Sequence, residues 1–496
     1  MRINSSDLTS ISREKSLRCD CVYHVLVKER RDLVQDFYPF SELFDLVEEK
    51  IECTDIQGSF MYCQIGDVEK DGTVSPVTLN FDERSLLDEN YYRKIEKGDV
   101  MRVDQGDILM SFLLPQDENI LGKFTRIGKK EKEILFSTAF IRLQAKKHPQ
   151  ILYYSLQSLF YRDLIYTARI RKGYTGYATL SKEDLKEIRF QRELVDLLFA
   201  QHEILEKSIA DLENQIHILN KKLLSEQSII DAVFEREFHF DYGKFEEMKA
   251  HKVYALPHAR FSDNPDLRFG AKYHRPAGSF VMEQLKGISD KKIKHFLSEP
   301  IALGASISPG DFDESGEAYY VSMATIKTFE VVLDDTQLVS SAYFHAKKSK
   351  TLLKGDILMA RSGVAIGKTA IVRENFQGIF ADFTMRIRFD PAKCSPLFAY
   401  YYLRSKYFQY LIEIFKKGLQ NQNIFPIVMQ ELPIPDVSLK KQLQIVKKIQ
   451  TKIQKQNHLK DQIGSLRSQI YNLIKSTVES PLSDQSLPDR TTQEES

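Results

Sequence analysis

A chain of 496 residues is longer than one hydrophobic core usually supports, so its length predicts several domains. A net charge of +1 excludes a uniformly basic nucleic-acid sleeve, and any anion-binding surface has to come from local clusters of cations. The five cysteines are odd in number and lack paired zinc-ligand spacing, which favours reduced structural thiols.

The two ends of the chain are polar. Residues 1–16 and 479–496 are rich in small polar residues and poor in apolar ones, so we expect both to be disordered. No apolar run reaches the length of a membrane span and the N-terminus does not resemble a signal peptide, so we expect a cytoplasmic location.

Residues 17–192 are predicted to form a first globular domain of class α+β. Its β-branched and aromatic runs are short and are bounded by Gly, Pro and Asp, as is typical of strands between turns.

A heptad pattern follows at residues 193–235 and predicts one long helix. Apolar residues recur there at alternating steps of three and four, which is the seam of a coiled coil. The predicted interface residues of this helix are Leu198, Leu205, Ile209, Leu212, Ile216, Leu219 and Leu223.

The second half repeats this plan. After a linker predicted at residues 236–266 come a second α+β domain at 267–436 and a second long helix at 437–478. A rod with an apolar stripe needs a partner, so we expect the two helices to pack as an antiparallel coiled coil. The predicted interface residues of the second helix are Leu443, Val446, Ile449, Ile453, Ile463, Leu466, Ile470 and Leu473.

Matching motifs in the two halves support a pseudo-twofold internal repeat. GDILM occurs at residues 106–110 and again at 355–359, and Lys-Gly follows an aromatic run at 172–173 and at 417–418. LRCDCVYH, from residue 17, has its counterpart in LRFGAKYH, from residue 267. Each half is therefore predicted to be a globular domain followed by a heptad helix.

This order of domains, together with GDIL strands and an LPIP motif at 432–435, resembles the DNA specificity subunit of type I restriction-modification systems. The resemblance extends from about residue 17 to about residue 476, and its most characteristic stretch is LLKGDILMARSGVAIGKTAIV at 352–372. It implies two target-recognition domains, each reading one half of a split DNA sequence, with the paired helices as a spacer.

The resemblance also implies the partners. They are double-stranded DNA, two methyltransferase subunits and the translocase-nuclease subunits, while S-adenosylmethionine, ATP and Mg²⁺ belong to those partners and no cofactor to this chain. The chain itself is then non-catalytic. The alternatives are a coiled-coil scaffold that binds proteins but no DNA, and a similar subunit of another defence system.

Local clusters of cations, hydroxyls and amides are the candidate DNA contacts, because phosphate contacts supply affinity and base-edge contacts supply specificity. A solvated surface or a polar turn is the competing interpretation for each cluster. In the first half the candidates are Lys123, Arg126, Lys129, Lys130, Arg169, Arg171, Lys172, Tyr174, Thr175, Tyr177 and Thr179. In the second half they are Lys347, Lys348, Arg361, Ser362, Lys368, Lys417, Gln420, Asn421, Gln422 and Asn423.

GVAIGKT at residues 363–369 superficially resembles a phosphate-binding loop. Ser362 stands where that motif requires its first glycine, and the strand-like residues 370–372 follow where the motif requires a helix. The segment is therefore predicted to be a β-hairpin. We find no methyltransferase signature and no His-Glu-x-x-His metal motif, so no catalytic or metal-ligating residue is predicted.

Overall fold

The structure of the chain is a computed structural model. It describes residues 37–69, 72–83, 89–111, 113–115, 123–161, 164, 177–179, 182–186, 188–251, 253–259, 273–327, 330–333, 336–418 and 422–483. Within these residues no helix is both long enough and apolar enough to cross a membrane.

The chain divides into two compact units. Unit 1 comprises Met1–Lys221 and Asp461–Ser496, and unit 2 comprises Lys222–Lys460. Each unit therefore combines one globular half of the sequence with one part of the C-terminal helix.

Unit 1 contains short strands and mostly short helices. The strands are β1 (Phe37–Pro39), β2 (Phe44–Val47), β3 (Ser59–Cys63), β4 (Val77–Asn80), β5 (Ile108–Ser111), β6 (Leu113–Pro115), β7 (Phe124–Arg126), β8 (Leu135–Phe136), β9 (Phe140–Ala145), β10 (Tyr177–Thr179) and β11 (Arg189–Gln191). The helices are α1 (Phe40–Leu43), α2 (Glu89–Glu96), α3 (Pro149–Ser158), α4 (Lys182–Lys186), α5 (Arg192–Ala200) and α6 (His202–Asn220).

In its described part, unit 1 has an antiparallel sheet of order β2-β9-β5-β7 and a second sheet of order β4-β3-β8. In the second sheet β3 pairs antiparallel with β4 and parallel with β8. Leu109 and Phe136 are buried in one core cluster, and Tyr62 and Tyr92 in a neighbouring one.

Unit 2 has a similar set of elements. Its strands are β12 (Ala302–Leu303), β13 (Ala318–Val321), β14 (Ile326–Lys327), β15 (Glu330–Val331), β16 (Leu338–Val339), β17 (Ile357–Ala360), β18 (Thr369–Ile371), β19 (Gly378–Phe380) and β20 (Thr384–Ile387). Its helices are α7 (Glu226–Phe238), α8 (Tyr242–Ala250), α9 (Pro276–Ile288), α10 (Ser341–Ala346), α11 (Pro396–Arg404), α12 (Lys406–Phe415) and α13 (Pro426–Glu431), and the final helix α14 (Leu439–Ser483) begins in this unit.

The sequence repeat has a counterpart in the sheets. The order β12-β20-β17-β18 in unit 2 matches β2-β9-β5-β7 in unit 1, and β16-β13-β19 matches β4-β3-β8, again with one antiparallel and one parallel pair. The register agrees as well, since Leu109 lies opposite Arg142 and Leu358 lies opposite Arg386.

The GDIL motif has the same structural role in both units. Gly106 and Gly355 have φ values of 96° and 92°, which glycine adopts without strain. The aspartate that follows Gly355, Asp356, accepts the backbone N–H of Leu353 at 2.8 Å and is 1% exposed. Asp356 also binds Arg388 through two bonds of 2.6 and 2.7 Å, and this pairing raises the pKa of Arg388.

The helix predicted at residues 193–235 is interrupted twice, and a single rod is therefore wrong. It consists of α5, α6 and α7. Gln201, with φ −106° and ψ 19°, separates the first two. Ser225 starts the third, because its hydroxyl accepts the backbone N–H of Ser228 and so competes with continuation of the preceding helix.

The segment predicted as a linker at residues 236–266 contains helix α8, and this part of the prediction is wrong. Asp241 caps the helix by accepting the N–H of Lys244 at 2.9 Å. Phe240, Tyr242 and Phe245 belong to the core of unit 2, so the segment is fixed by aromatic burial.

Most of the predicted coiled-coil interface residues are buried or half-buried. In unit 1 Leu198, Leu205, Ile209, Ile216, Ile463 and Ile470 are buried, while Leu212, Leu219, Leu466 and Leu473 are half-buried. In unit 2 Val446 and Ile449 are buried, and Leu223 and Ile453 are half-buried.

Leu443 is the exception, because it is 57% exposed and not an interface residue. Gln442 is buried in its place, accepting the N–H of Ser395 at 2.8 Å and donating to the carbonyl of Val437 at 2.8 Å. These bonds set the face that the start of α14 presents to the rest of unit 2.

At its other end, α14 continues to Ser483, so the tail predicted as disordered from residue 479 begins as helix. Residues 484–496, like residues 1–16, lie outside the described part of the chain.

Candidate functional site

The buried strand β17 ends at Ala360, and Arg361 follows it at one end of the main sheet of unit 2. The four residues of β17 are buried between β18 and β20, whereas Arg361 and Ser362 are half-buried and Gly363 is exposed. The chain then returns as β18, with Met359 paired opposite Thr369. The segment 363–369 thus belongs to a β-hairpin, as predicted: residues 361–368 connect β17 to β18, and Gly363 and Gly367 take φ values of 76° and 87° there.

A second segment lies directly beside this strand end. Lys417 and Asn423 exchange two backbone hydrogen bonds of 2.7 Å and close a loop, in which Gly418 has a φ of 111°. Asn423 forms an antiparallel bridge with Ser362, and Ile424 N–H donates to the carbonyl of Arg361 at 2.9 Å. Asn423 and the residues Arg361 and Ser362, which are distant in sequence, therefore form one surface.

A third segment positions the Arg361 side chain. The backbone N–H of Arg361 donates to the carbonyl of Phe383 at 3.0 Å, and its Nε donates to the carbonyl of Asp382 at 2.8 Å. Among the described residues no hydrogen bond uses the two terminal nitrogens of this guanidinium. An oriented guanidinium with two donors left over can bind a guanine edge or a phosphate bidentately.

We call Arg361, Ser362, Lys368, Lys417 and Asn423 the Arg361 surface. Lys417 is exposed and Lys368 is half-buried at the end of the hairpin. The adjacent acid, Asp382, lies near the half-buried Tyr320 and the buried Tyr343. Burial chiefly, and the charge of Asp382 to a smaller extent, raise the pKa of Tyr320 to about 12 and raise the pKa of Tyr343.

The structure says less about the remaining candidate DNA contacts of the second half. Lys347 and Lys348 are exposed just before Thr351, which pairs with Ile379 at the start of the segment leading to Asp382. No described hydrogen bond joins them to the Arg361 surface. Gln422 is half-buried beside Asn423, while Gln420 and Asn421 lie outside the described residues.

In unit 1 two candidate cations are engaged within the protein. Lys123 Nζ donates to the carbonyl of Ile65 at 2.7 Å, and Arg126 forms an ion pair with Glu213 of α6 at 2.9 Å. Lys129 and Lys130 are exposed in the turn after β7. A DNA contact of these four residues stays a prediction.

The other candidates of unit 1 fall mostly outside the described residues. Tyr177 and Thr179 belong to β10, where their backbones pair with Pro115 and Leu113 of β6. The candidates that the structure does not describe are Arg169, Arg171, Lys172, Tyr174 and Thr175.

The exposed apolar residues around the Arg361 surface were not predicted from the sequence. Phe383 is 58% exposed, Phe425 40% and Ile427 71%. No periodicity marks them, since each belongs to a turn or to a short helix. No cluster of three metal-ligating side chains occurs in the part of the chain that the structure describes.

Residues 300–465 match the family model described as "Type I restriction modification DNA specificity domain". This range contains β17, β18 and the whole Arg361 surface. A search of the curated proteins returns no significant match.

Three solved structures similar to the chain are specificity subunits or complexes of such systems. The chain shares 15% identity with a structure titled as the complex assembly and conformational transition of the type I R-M system, with 90% of this chain and 96% of the other covered and a TM-score of 0.37. The chain shares 15% identity with the HsdS subunit from Thermoanaerobacter tengcongensis, with 90% of this chain and 95% of the other covered and a TM-score of 0.34. It shares 13% identity with the type I S subunit from M. genitalium, with 92% of this chain and 96% of the other covered and a TM-score of 0.35.

The family match over residues 300–465 places a DNA specificity domain in the second half of this chain. The resemblance of the chain to the specificity subunits of type I restriction-modification systems is thereby confirmed.

Proposed function

We propose that this chain is the non-catalytic DNA-reading subunit of a type I restriction-modification complex. The observation that carries the proposal is the convergence of Arg361, Ser362 and Asn423 on one surface within the matched specificity domain. Arginine suits guanine and asparagine suits adenine in the major groove, and the lysines nearby suit phosphate.

We further propose a bipartite target, with one half-site read by each unit. The matched sheet order and register support two reading surfaces built on one plan. The residues at the matching strand end differ, since Phe112 and Leu113 stand in the first half where Arg361 and Ser362 stand in the second. Different side chains at equivalent positions would read different half-sites, and the helices α6, α7 and α14 would set the spacing between them.

The complex would also contain two methyltransferase subunits and the translocase-nuclease subunits. S-adenosylmethionine, ATP and Mg²⁺ would act in those partners, and the specificity chain would hold them on the target. The competing function is a scaffold that binds proteins but no DNA. The terminal guanidinium nitrogens of Arg361, which make no hydrogen bond with the residues that the structure describes, favour the DNA-reading function over it.

Methylation mapping in the natural host tests the proposal. The tagged chain should co-purify with two methyltransferase copies, and deletion of its gene should abolish methylation at one split sequence. The Arg361→Ala variant should retain its partners but lose or relax one base position of one half-site, since a bidentate arginine–guanine pair is worth about 1–3 kcal/mol of discrimination.

Lys286→Ala is the matched control, because Lys286 is an exposed lysine of the same unit on α9. It should leave the mapped sequence unchanged. A chain that purifies without any methyltransferase, or a genome whose methylation ignores the deletion, would refute the proposal.

A further inference from the structure

Two exposed phenylalanines flank the Arg361 surface. Phe383 and Phe425 are the phenylalanines classed as exposed in the described part of the chain, and Ile427 follows in the first turn of α13. Leaving such a side chain in water forgoes about 1.5–3 kcal/mol of burial. A group of exposed apolar side chains at one place typically marks a binding surface.

The backbone places these rings next to Arg361. The backbone carbonyl of Phe383 accepts the N–H of Arg361, and the N–H of Ile424 donates to the carbonyl of Arg361, so three separate segments of the chain meet at Arg361. Phe383 and Ile424, the residue before Phe425, are therefore both hydrogen-bonded to the backbone of Arg361.

The charges around these rings favour DNA as the occupant. Arg361, Lys368 and Lys417 are three cations on this surface and outnumber the adjacent carboxylate of Asp382. Exposed Gly363 and Gly418 have positive φ and carry no side chain, so a phosphate backbone can approach closely at the rim. Cations around an apolar centre complement the phosphates and the stacked bases of a duplex.

We propose that Phe383 is an apolar wedge that presses against a base step of the half-site and partly unstacks it, beside the base pair contacted by Arg361. This inference rests on the proposed DNA-reading function and adds to it a distortion of the duplex. The half-site would then be selected by the ease of unstacking one step as well as by hydrogen bonds to base edges.

The experiment uses the intact complex of this chain with its methyltransferase partners and a duplex that carries the mapped target. Single 2-aminopurines replace bases of the half-site one at a time, excluding the methylated adenine, and fluorescence reports unstacking. The wild-type complex should raise the fluorescence at one step. Phe383→Ala should abolish that rise and weaken binding about tenfold, whereas Phe383→Leu, which keeps an apolar wedge, should retain most of both.

Leu353→Ala is the control, because Leu353 is an exposed apolar residue of the same unit beyond the surface defined above, and it should behave like the wild type. Binding without any step of raised fluorescence would overturn the wedge and leave the DNA-reading function standing. A Phe383→Ala chain that unstacks DNA normally, or that loses its methyltransferase partners, would also overturn it. A wild-type complex that binds no duplex would instead refute the proposed function.

Discussion

Glu213 is the partner of Arg126, one of the candidate DNA contacts in the first half of the chain. Its carboxylate receives Arg126 at 2.9 Å, Gln150 Nε2 at 2.8 Å and the Tyr154 hydroxyl at 2.9 Å. Burial chiefly, and the charge of Glu213 in addition, raise the pKa of Tyr154. From the sequence alone, Arg126 is a candidate for binding DNA phosphates. In the structure its ion pair with Glu213 links β7 to helix α6 within unit 1.

Replacing Glu213 by glutamine should destabilise unit 1. The substitution removes the charge that pairs with Arg126 and weakens two further hydrogen bonds, at an expected cost of about 1–3 kcal/mol. Thermal unfolding of the variant measures the loss. Glu203→Gln, an exposed position on the same helix, should change stability by less than about 0.5 kcal/mol; equal effects of the two substitutions would contradict the role assigned to Glu213.

At the scale of elements, Glu237 links α7 to the start of α14 in unit 2. Glu237 of α7 is 6% exposed and binds Lys441 at 2.6 Å and Lys448 at 2.5 Å. The hydrogen bonds from Lys441 and Lys448 lower the pKa of Glu237 below its ordinary value of 4.5. The two lysines lie seven residues apart, so both project from one face of α14.

The stability contributed by this pairing should be lost in acid. Because the folded state lowers the pKa, the contribution is complete above about pH 4.5 and disappears as the pH falls through the lowered value. Urea unfolding at pH 7 and at pH 3 to 4 should show a smaller acid-induced loss in Glu237→Gln than in the wild type. Glu235→Gln, an exposed neighbour, should keep the wild-type slope; a wild-type slope in Glu237→Gln would disprove the assignment.

The elements also show what can be predicted from sequence. The GDIL strands, the hairpin at 363–369 and the length of α14 depend on local patterns, and the structure contains each of them. The break at Ser225 and the burial of Gln442 depend on hydrogen bonds with partners that a heptad count does not register. The exposure of Phe383 depends on its tertiary contacts. From sequence alone, an apolar residue in a turn is ordinarily expected to be buried against a neighbouring element.

At the scale of the whole molecule, the last helix is divided between the two units. Residues 439–460 of α14 belong to unit 2 and residues 461–483 to unit 1. In unit 1 the second part buries Ile463, Ile470, Ile474 and Val478, and Tyr471 binds Gln157 at 3.2 Å. Unit 1 is therefore incomplete without residues encoded at the far end of the chain.

Truncation after Lys460 should unfold unit 1 and spare unit 2. Four buried aliphatic side chains at about 1.5–3 kcal/mol each amount to most of the stability of an ordinary domain. Hydrogen exchange of the truncated chain should be fast in the sheet of β5 and β9 and slow in that of β17 and β20. Truncation after Ser483 is the control and should leave both sheets protected; protection of β5 in the shorter chain would contradict the division.

The discontinuity of unit 1 has a consequence for synthesis on the ribosome. Domains generally fold in the order in which they emerge, from the N-terminus onward. Here the residues of unit 2 end at 460 and those of unit 1 end beyond it, so the half made first is the half that is finished last. Until α14 has left the exit tunnel, part of the apolar surface of the nascent N-terminal half therefore stays exposed to water. Both units are complete only when the last turns of that helix have been translated.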